Sequence, residues 1–258
     1  MSAPNGMVCV SVVSHRQALL VKSLLDDLAA HCLGAVEVIL TLNVDEPLAF
    51  EPGAFGYPIE LVRNSSPRGF GANHNAAFRR CRQRTFCVLN PDIRLTANPF
   101  PALLEELARD RTGVVAPRIV DLAGRTEDSA RRFPTPWSLI AKALGRADAL
   151  DYEMESASFS PDWVAGMFML FGDDAFRAVG GFDERYFLYY EDVDICARLR
   201  AAGYDVRYVP AAAAVHDARR ASRSNWQHRI WHAQSILRYL VTSGRSAACA
   251  VPTKRPNP

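Results

Sequence analysis

The first 120 residues alternate between two apolar spacings. Residues 7–14, 36–42, 59–63, 85–89 and 113–119 are short runs rich in Val, Ile and Leu. Polar or glycine-containing segments bound them, so they predict buried strands. Between them, residues 17–31 repeat leucine at helical spacing through Leu20, Leu24, Leu25 and Leu28, and helices are also predicted over 76–84 and 101–109. Strand and helix in alternation predict an α/β fold with a mostly parallel sheet.

The pattern loosens over residues 121–162, where Pro134, Pro136 and Pro161 interrupt it and a short helix near 136–144 is predicted. It sharpens again at 163–171, an apolar strand that contains Gly166. A Gly180-Gly181-Phe182-Asp183 turn follows, and then Tyr186, Phe187, Leu188, Tyr189 and Tyr190 run directly into Glu191, Asp192 and Asp194. From there Val193, Cys196, Ala197 and Leu199 form an amphipathic pattern that stops at Gly203, so the acids fall in the first turn of a helix that glycine ends. Residues 205–209 predict a strand closed by Pro210, 211–215 a small apolar run ending at His216, and 224–241 a last helix, with a disordered tail over 244–258.

At 258 residues the chain fits one sizeable domain. A net charge of +2 gives no polyanion signal, so nucleic acid is not an expected partner. The charge is uneven: Arg219, Arg220, Arg223, Arg229, Arg238 and Arg245 cluster late, with Asp217 almost alone against them. Such a basic C-terminal helix can face phosphates or an anionic membrane surface, or be a solvated face. The six cysteines form no CxxC pair and several lie in apolar runs, which reads as a reducing compartment without disulfide framework or zinc site. The N-terminus shows no basic region leading into a long apolar stretch, and no window reaches the length of a membrane span. A cytoplasmic protein is expected, with peripheral contact to the inner face of the cell membrane through the basic helix. The sequence sets no oligomeric state.

Four stretches carry candidate chemistry. Acids directly behind an apolar aromatic run are shielded from water, which raises a carboxylate pKa and suits a general base; helix capping is the plainer alternative. Asp92 follows a buried strand directly, where open α/β sheets gather ligands, and could hold a divalent cation; an Asn-Pro-Asp turn is the alternative. His216 ends another short strand. Arg68 to Asn75 is a βα turn with Gly69 and Gly71, which could offer backbone amides to an anion or be simply a tight turn.

In this order, Leu89-Asn90-Pro91-Asp92, the run from Trp163 through Gly166 to Met169, Gly181-Phe182-Asp183-Glu184 with Glu191-Asp192-Val193-Asp194, Val215-His216, and Ser235-Ile236-Leu237-Arg238-Tyr239 resemble the family 2 glycosyltransferases of the GT-A fold, and within them a rhamnosyltransferase-like group. The resemblance covers nearly the whole chain. It implies a mostly parallel sheet flanked by helices, with a Rossmann-like nucleotide-sugar-binding half (1–120) and an acceptor half (121–243). It also implies an inverting transfer from a nucleotide sugar, dTDP-rhamnose by subgroup, to a saccharide or lipid-linked acceptor in cell-surface polysaccharide synthesis. The alternatives are a UDP- or GDP-sugar donor, or a nucleotide-sugar-binding protein without turnover.

By resemblance, Asp192 is the base, with Glu191 the second candidate. Asp92 and His216 hold Mg²⁺ or Mn²⁺ and the diphosphate, with Asn90 in place of a first acid. Ser14, His15, Gly69, Phe70, Asn75 and Gly166 contact the donor. Where the family has an acid at the end of the second strand this chain has Leu42, so Asn43 or Asp45 takes over base recognition or the nucleotide preference differs. Pro67 replaces the asparagine usual before the Gly-Phe turn.

Overall fold

The computed structural model describes residues 6–138, 151–154, 157–217 and 226–249. Its frame is an eight-stranded sheet built from β1 (Val8–Ser14), β2 (Val36–Leu42), β3 (Ile59–Arg63), β4 (Thr85–Leu89), β5 (Ile93–Arg94), β6 (Thr112–Val120), β9 (Phe168–Gly172) and β10 (Asp205–His216). The strand order is β3-β2-β1-β4-β9-β6-β10-β5. A small second sheet pairs β7 (Ala130–Arg131) with β8 (Trp163–Val164). The predicted parallel arrangement holds from β3 to β4 and between β6 and β10, while β9 runs antiparallel between β4 and β6 and β5 antiparallel to β10.

Helices cover both faces: α1 (Ala18–His31), α2 (Phe70–Phe78), α3 (Phe100–Leu107), α4 (Asp173–Ala178), α5 (Glu191–Ala201) and α6 (Trp226–Cys249). Successive side chains of a strand point to opposite faces. Val8, Val10 and Val12 of β1 pack with Leu24, Leu25 and Leu28 of α1 and Phe100 of α3. Cys9, Phe86 and Val88 face the other core, with Ala77 of α2, Phe176 of α4 and Leu199 of α5. Burial on both faces explains why these strands read as continuous apolar runs. In the second core the rings of Phe171, Phe176 and Phe182 lie 5.0–6.0 Å apart, within the range of favourable aromatic pairing.

Several elements depart from the periodicity, each for a local reason. Helix α2 begins at Phe70, so the predicted turn forms its opening turns, and it stops at Phe78 rather than near 84. Gly71 therefore sits in the first turn of a helix. A Cβ at Gly71 would lie 2.6 Å from Phe182 Cβ, and one at Gly69 2.8 Å from Phe187 O, so both glycines admit the chain that follows α4. The predicted strand at 163–171 divides into β8 and β9 around Gly166. Strand β10 runs through Pro210, because its pairing with β6 skips from Val209 to Ala213 and the proline falls in that bulge, where no ladder donor is needed. Helix α6 continues to Cys249, beyond the predicted end at 241 and into the predicted tail. Most of the helix predicted near 136–144 lies outside the described residues.

Candidate active site

The carboxyl-terminal ends of β4 and β10 bring Asp92 and His216 together. After β4, an Asn90-Pro91-Asp92 turn closes with Ile93 N donating to Asn90 O at 3.2 Å. Pairing of β5 with β10 sets Ile93 opposite His216, and Asp217 N donates to Asp92 O at 2.8 Å. The imidazole then bridges two carboxylates: Nε2–H donates to Asp92 Oδ2 at 3.3 Å and Nδ1–H to Glu127 Oε2 at 2.8 Å. The bond to Asp92, then that to Glu127, pushes the His216 pKa up to about 9 against the opposing effect of burial.

Asp92 Oδ1 is buried and has no hydrogen-bond partner among the described residues. An unmatched carboxylate oxygen beside an imidazole nitrogen suits a divalent cation. Among the described residues no group of three or more His, Cys, Asp or Glu could hold a metal ion by itself. Mg²⁺ in nucleotide sites is commonly held by only one or two carboxylates plus substrate phosphates, so two protein ligands fit that mode. Glu127 fixes Nδ1 and leaves Nε2 facing Asp92, where it would serve as the second ligand of a cation. A cation at Nε2 must displace the imidazolium proton. Mn²⁺ affinity of the free protein should therefore rise with pH by up to about tenfold per unit and level off near pH 9, as read by calorimetry. A flat profile below that pH would remove His216 from the ligand set.

The acid pair lies along the same sheet edge. Asn90 N donates to Met167 O at 2.9 Å, and the neighbouring Gly166 N donates to Asp192 Oδ2 at 3.0 Å. Asp192 Oδ1 accepts Val193 N at 2.9 Å. A Cβ at Gly166 would lie 3.5 Å from both Asp192 Cβ and Phe70 Cζ, so Gly166 brings backbone close to the carboxylate. Tyr189 and Tyr190, immediately before α5, have φ of 72° and 69°, left-handed backbone that costs on the order of 1–3 kcal/mol per residue. Helix α6 holds this turn: Tyr189 Oη lies 2.9 Å from His228 Nδ1, and the Tyr190 ring 5.7 Å from His232 and 5.5 Å from Tyr239. The strain is retained where it aims the two acids.

Glu191 is buried and Asp192 half-buried beside it, and the two differ in partners. Burial, then the neighbouring Asp192 charge, drives the Glu191 pKa well up, and Glu191 Oε2 has no partner among the described residues. Burial also raises the Asp192 pKa, but the amides of Gly166 and Val193 and the positive charge of Arg131 favour its ionised form. The first turn of α5 adds the positive end of a helix dipole. Of the pair, Glu191 is the acid held toward its neutral form and Asp192 the one whose ionised form has partners. Arg131, on β7, stacks over Trp163 at 5.4 Å and pairs with Asp128 at 2.8 Å.

The other expected donor contacts are placed as follows. Ser14 ends β1 and donates to Glu46 Oε1 at 2.5 Å, while Glu46 also accepts Arg16 N and Ala18 N, capping the start of α1. Asn43 Nδ2 lies 3.3 Å from His15 Nδ1 and donates to Arg68 O at 2.9 Å, and Asn43 Oδ1 accepts Arg68 N and Asn64 Nδ2. Leu42 faces the core, and Asp45 remains exposed beside Arg63. At the βα turn, Phe70 N donates to Phe187 O at 2.9 Å, so that amide serves the aromatic segment rather than an anion. Asn75 is buried and clamps Phe182, donating to its carbonyl at 2.8 Å and accepting its N–H at 2.9 Å. His74 pairs with Ser11 Oγ at 2.8 Å, and burial lowers its pKa to about 3, so it is a neutral core histidine.

Glu46, Glu127 and Arg131 escape the sequence reading. Glu127 and Arg131 fall in the aperiodic 121–162 stretch, and only tertiary pairing brings them to His216 and Asp192.

A family model described as glycosyltransferase like family 2 matches residues 4–233. The chain is 30% identical over 247 residues to rhamnosyltransferase WbbL of Escherichia coli (strain K12), covering 91% of this chain and 93% of that protein. It is 32% identical over 173 residues to N-acetylglucosaminyl-diphospho-decaprenol L-rhamnosyltransferase of Mycobacterium tuberculosis (strain CDC 1551 / Oshkosh), covering 60% of this chain but only 54% of that enzyme. Among solved structures, mannosyltransferase PcManGT from Pyrobaculum calidifontis, in complex with GDP-Man and Mn²⁺, superposes with a TM-score of 0.65 at 16% identity over 98% of this chain and 66% of its own. GalNAc-T7 with UDP, GalNAc and Mn²⁺ gives a TM-score of 0.65 at 14% identity, covering 83% of this chain and 44% of its own. At such identities the structures establish a shared GT-A-like fold, and the sequence matches go further: this chain belongs to glycosyltransferase family 2.

Proposed function

We propose that the chain transfers L-rhamnose from dTDP-rhamnose to a saccharide acceptor carried on a lipid diphosphate, with inversion, as a step of cell-surface polysaccharide synthesis at the cytoplasmic face of the membrane. The observation that carries this reading is the single sheet edge shared by Asp92, His216, Gly166 and Asp192, joined through the Asn90–Met167 and Gly166–Asp192 hydrogen bonds. The names of the two rhamnosyltransferase relatives support rhamnose as the transferred sugar, and the diphospho-decaprenol in one of those names supports the acceptor class.

In this reading Asp92 and His216 hold Mg²⁺ or Mn²⁺ together with the donor diphosphate. The cation, when bound, stabilises the negative charge that develops on the departing nucleoside diphosphate. Asp192 takes the proton of the acceptor hydroxyl as its oxygen bonds to the anomeric carbon. The bond from that carbon to the donor phosphate oxygen breaks, and its electron pair leaves on the oxygen. One base and one displacement give inversion. The Gly166 amide keeps the carboxylate oriented, and Asn43, His15 and the exposed Asp45 border the end of β1 and β2 where the nucleobase would lie. Holding donor and acceptor in line supplies much of the remaining acceleration.

Thermal shift against dTDP-rhamnose, UDP-glucose and GDP-mannose, each with Mn²⁺ or with EDTA, tests this. dTDP-rhamnose with Mn²⁺ should stabilise the protein by about 2.7 kcal/mol at a hundredfold excess over Kd, and the others much less. A larger shift with a UDP- or GDP-sugar would overturn the donor assignment. A shift unchanged by EDTA would overturn the metal-held diphosphate.

A further inference from the structure

Helix α6 has two faces of opposite character. One packs onto the aromatic segment: Ser235 Oγ donates to Leu188 O at 3.0 Å, and the Trp231 ring lies 4.7 Å from Phe187. On the opposite side Trp226, Ile230, Leu237 and Val241 are 41–71% exposed. At about 100° per residue these four fall within roughly 60° of helical arc. Single exposed apolar residues are ordinary, whereas an aligned stripe on one helix marks a binding surface.

Charge identifies what that surface meets. After Asp217 the chain carries eight Lys and Arg and no Asp or Glu, while residues 1–217 carry 22 Lys and Arg against 28 Asp and Glu. Beside the stripe, Arg238 sits over the Tyr186 ring at 5.9 Å. Two copies meeting through this helix would set basic segment against basic segment, which is unfavourable. An anionic lipid surface matches both features, since it accepts an apolar stripe at the acyl boundary and attracts the basic flank. No helix among the described residues is long and apolar enough to cross a membrane, so α6 would lie in the interface plane.

We infer that α6 is an interfacial helix that docks the protein on anionic lipid headgroups, with Trp226, Ile230, Leu237 and Val241 entering the acyl boundary. The face opposite the stripe clamps the Tyr189-Tyr190 turn that aims Asp192, so docking brings the acid pair close to the membrane surface. Only this last consequence rests on the transfer reading; the docking does not.

The test is sedimentation of the full chain with vesicles of phosphatidylcholine containing phosphatidylglycerol, and with phosphatidylcholine alone, in the absence of any nucleotide sugar. The chain should sediment with the anionic vesicles, less with the neutral ones, and less as salt is raised. The double variant Ile230→Glu/Leu237→Glu should partition at least about tenfold more weakly while keeping its melting temperature, because both side chains face solvent. Arg238→Gln should weaken binding to the anionic vesicles alone. The inference is overturned if the chain stays in the supernatant with both vesicle types, or if the double variant partitions as the parent does. It is equally overturned if light scattering shows a dimer that the double variant splits, without vesicle binding. Because donor binding is measured without lipid, failure here and failure of the transfer reading are distinguishable.

Discussion

Asp192→Asn should lower turnover by roughly 10²–10⁴-fold, the usual contribution of a positioned general base, while leaving donor affinity nearly unchanged. The amide preserves the shape of the side chain and can still accept Gly166 N through its oxygen, so the contact at the sheet edge survives, while the bond from Val193 N and the proton acceptor are lost. A steady-state comparison of kcat with a separate donor titration reads the two effects apart. Glu191→Gln supplies the contrast. Burial favours the neutral form of Glu191, so the neutral isostere should retain most turnover. It should also change the pH dependence of stability. A carboxyl whose folded pKa is raised contributes stability that is complete below its unfolded pKa and is lost as pH rises through the folded value. Removing it should leave the Glu191→Gln variant losing less stability toward alkaline pH than the parent. Turnover lost in Glu191→Gln and kept in Asp192→Asn would exchange the two roles.

Asp92→Ala is the second large effect and acts on the other pole. Loss of an outer-shell partner of a metal ligand typically costs 10–100-fold in affinity, and a direct ligand should cost at least as much, so Mn²⁺-dependent donor binding should fall by at least about tenfold. A second signature is independent of activity. The Asp92 bond is the largest cause of the raised His216 pKa, so its removal should bring the imidazole pKa down toward its ordinary value, visible by NMR titration. An unmoved imidazole together with unchanged Mn²⁺-dependent affinity would separate Asp92 from the site.

Much of this is legible from the chain, and what is not has a definite cause. The strands β1, β2 and β4 show because burial on both faces keeps them mostly apolar, whereas the edge strand β3 is only partly buried. Asp92, Asp192 and His216 stand out because each directly adjoins an apolar run, and the fold sets all three on one edge. Glu127 and Arg131 show nothing, since residues 121–162 have no period and their roles come only from long-range pairing. The βα turn at Gly69 is visible, but not its packing: its glycines make room for Phe182 and Phe187, and the Phe70 amide goes to Phe187 O. The outer stripe of α6 is also not legible in the sequence, because a helical spacing shared by both faces does not say which one is covered.

Calorimetric titration of dTDP with Mn²⁺ into the parent chain, Asp92→Ala and Asp192→Asn tests the division of labour most directly. Parent and Asp192→Asn should bind alike, and Asp92→Ala at least about tenfold more weakly. Equal binding by all three, or loss in Asp192→Asn as deep as in Asp92→Ala, would contradict an anchor at Asp92 and His216 with a separate base at Asp192.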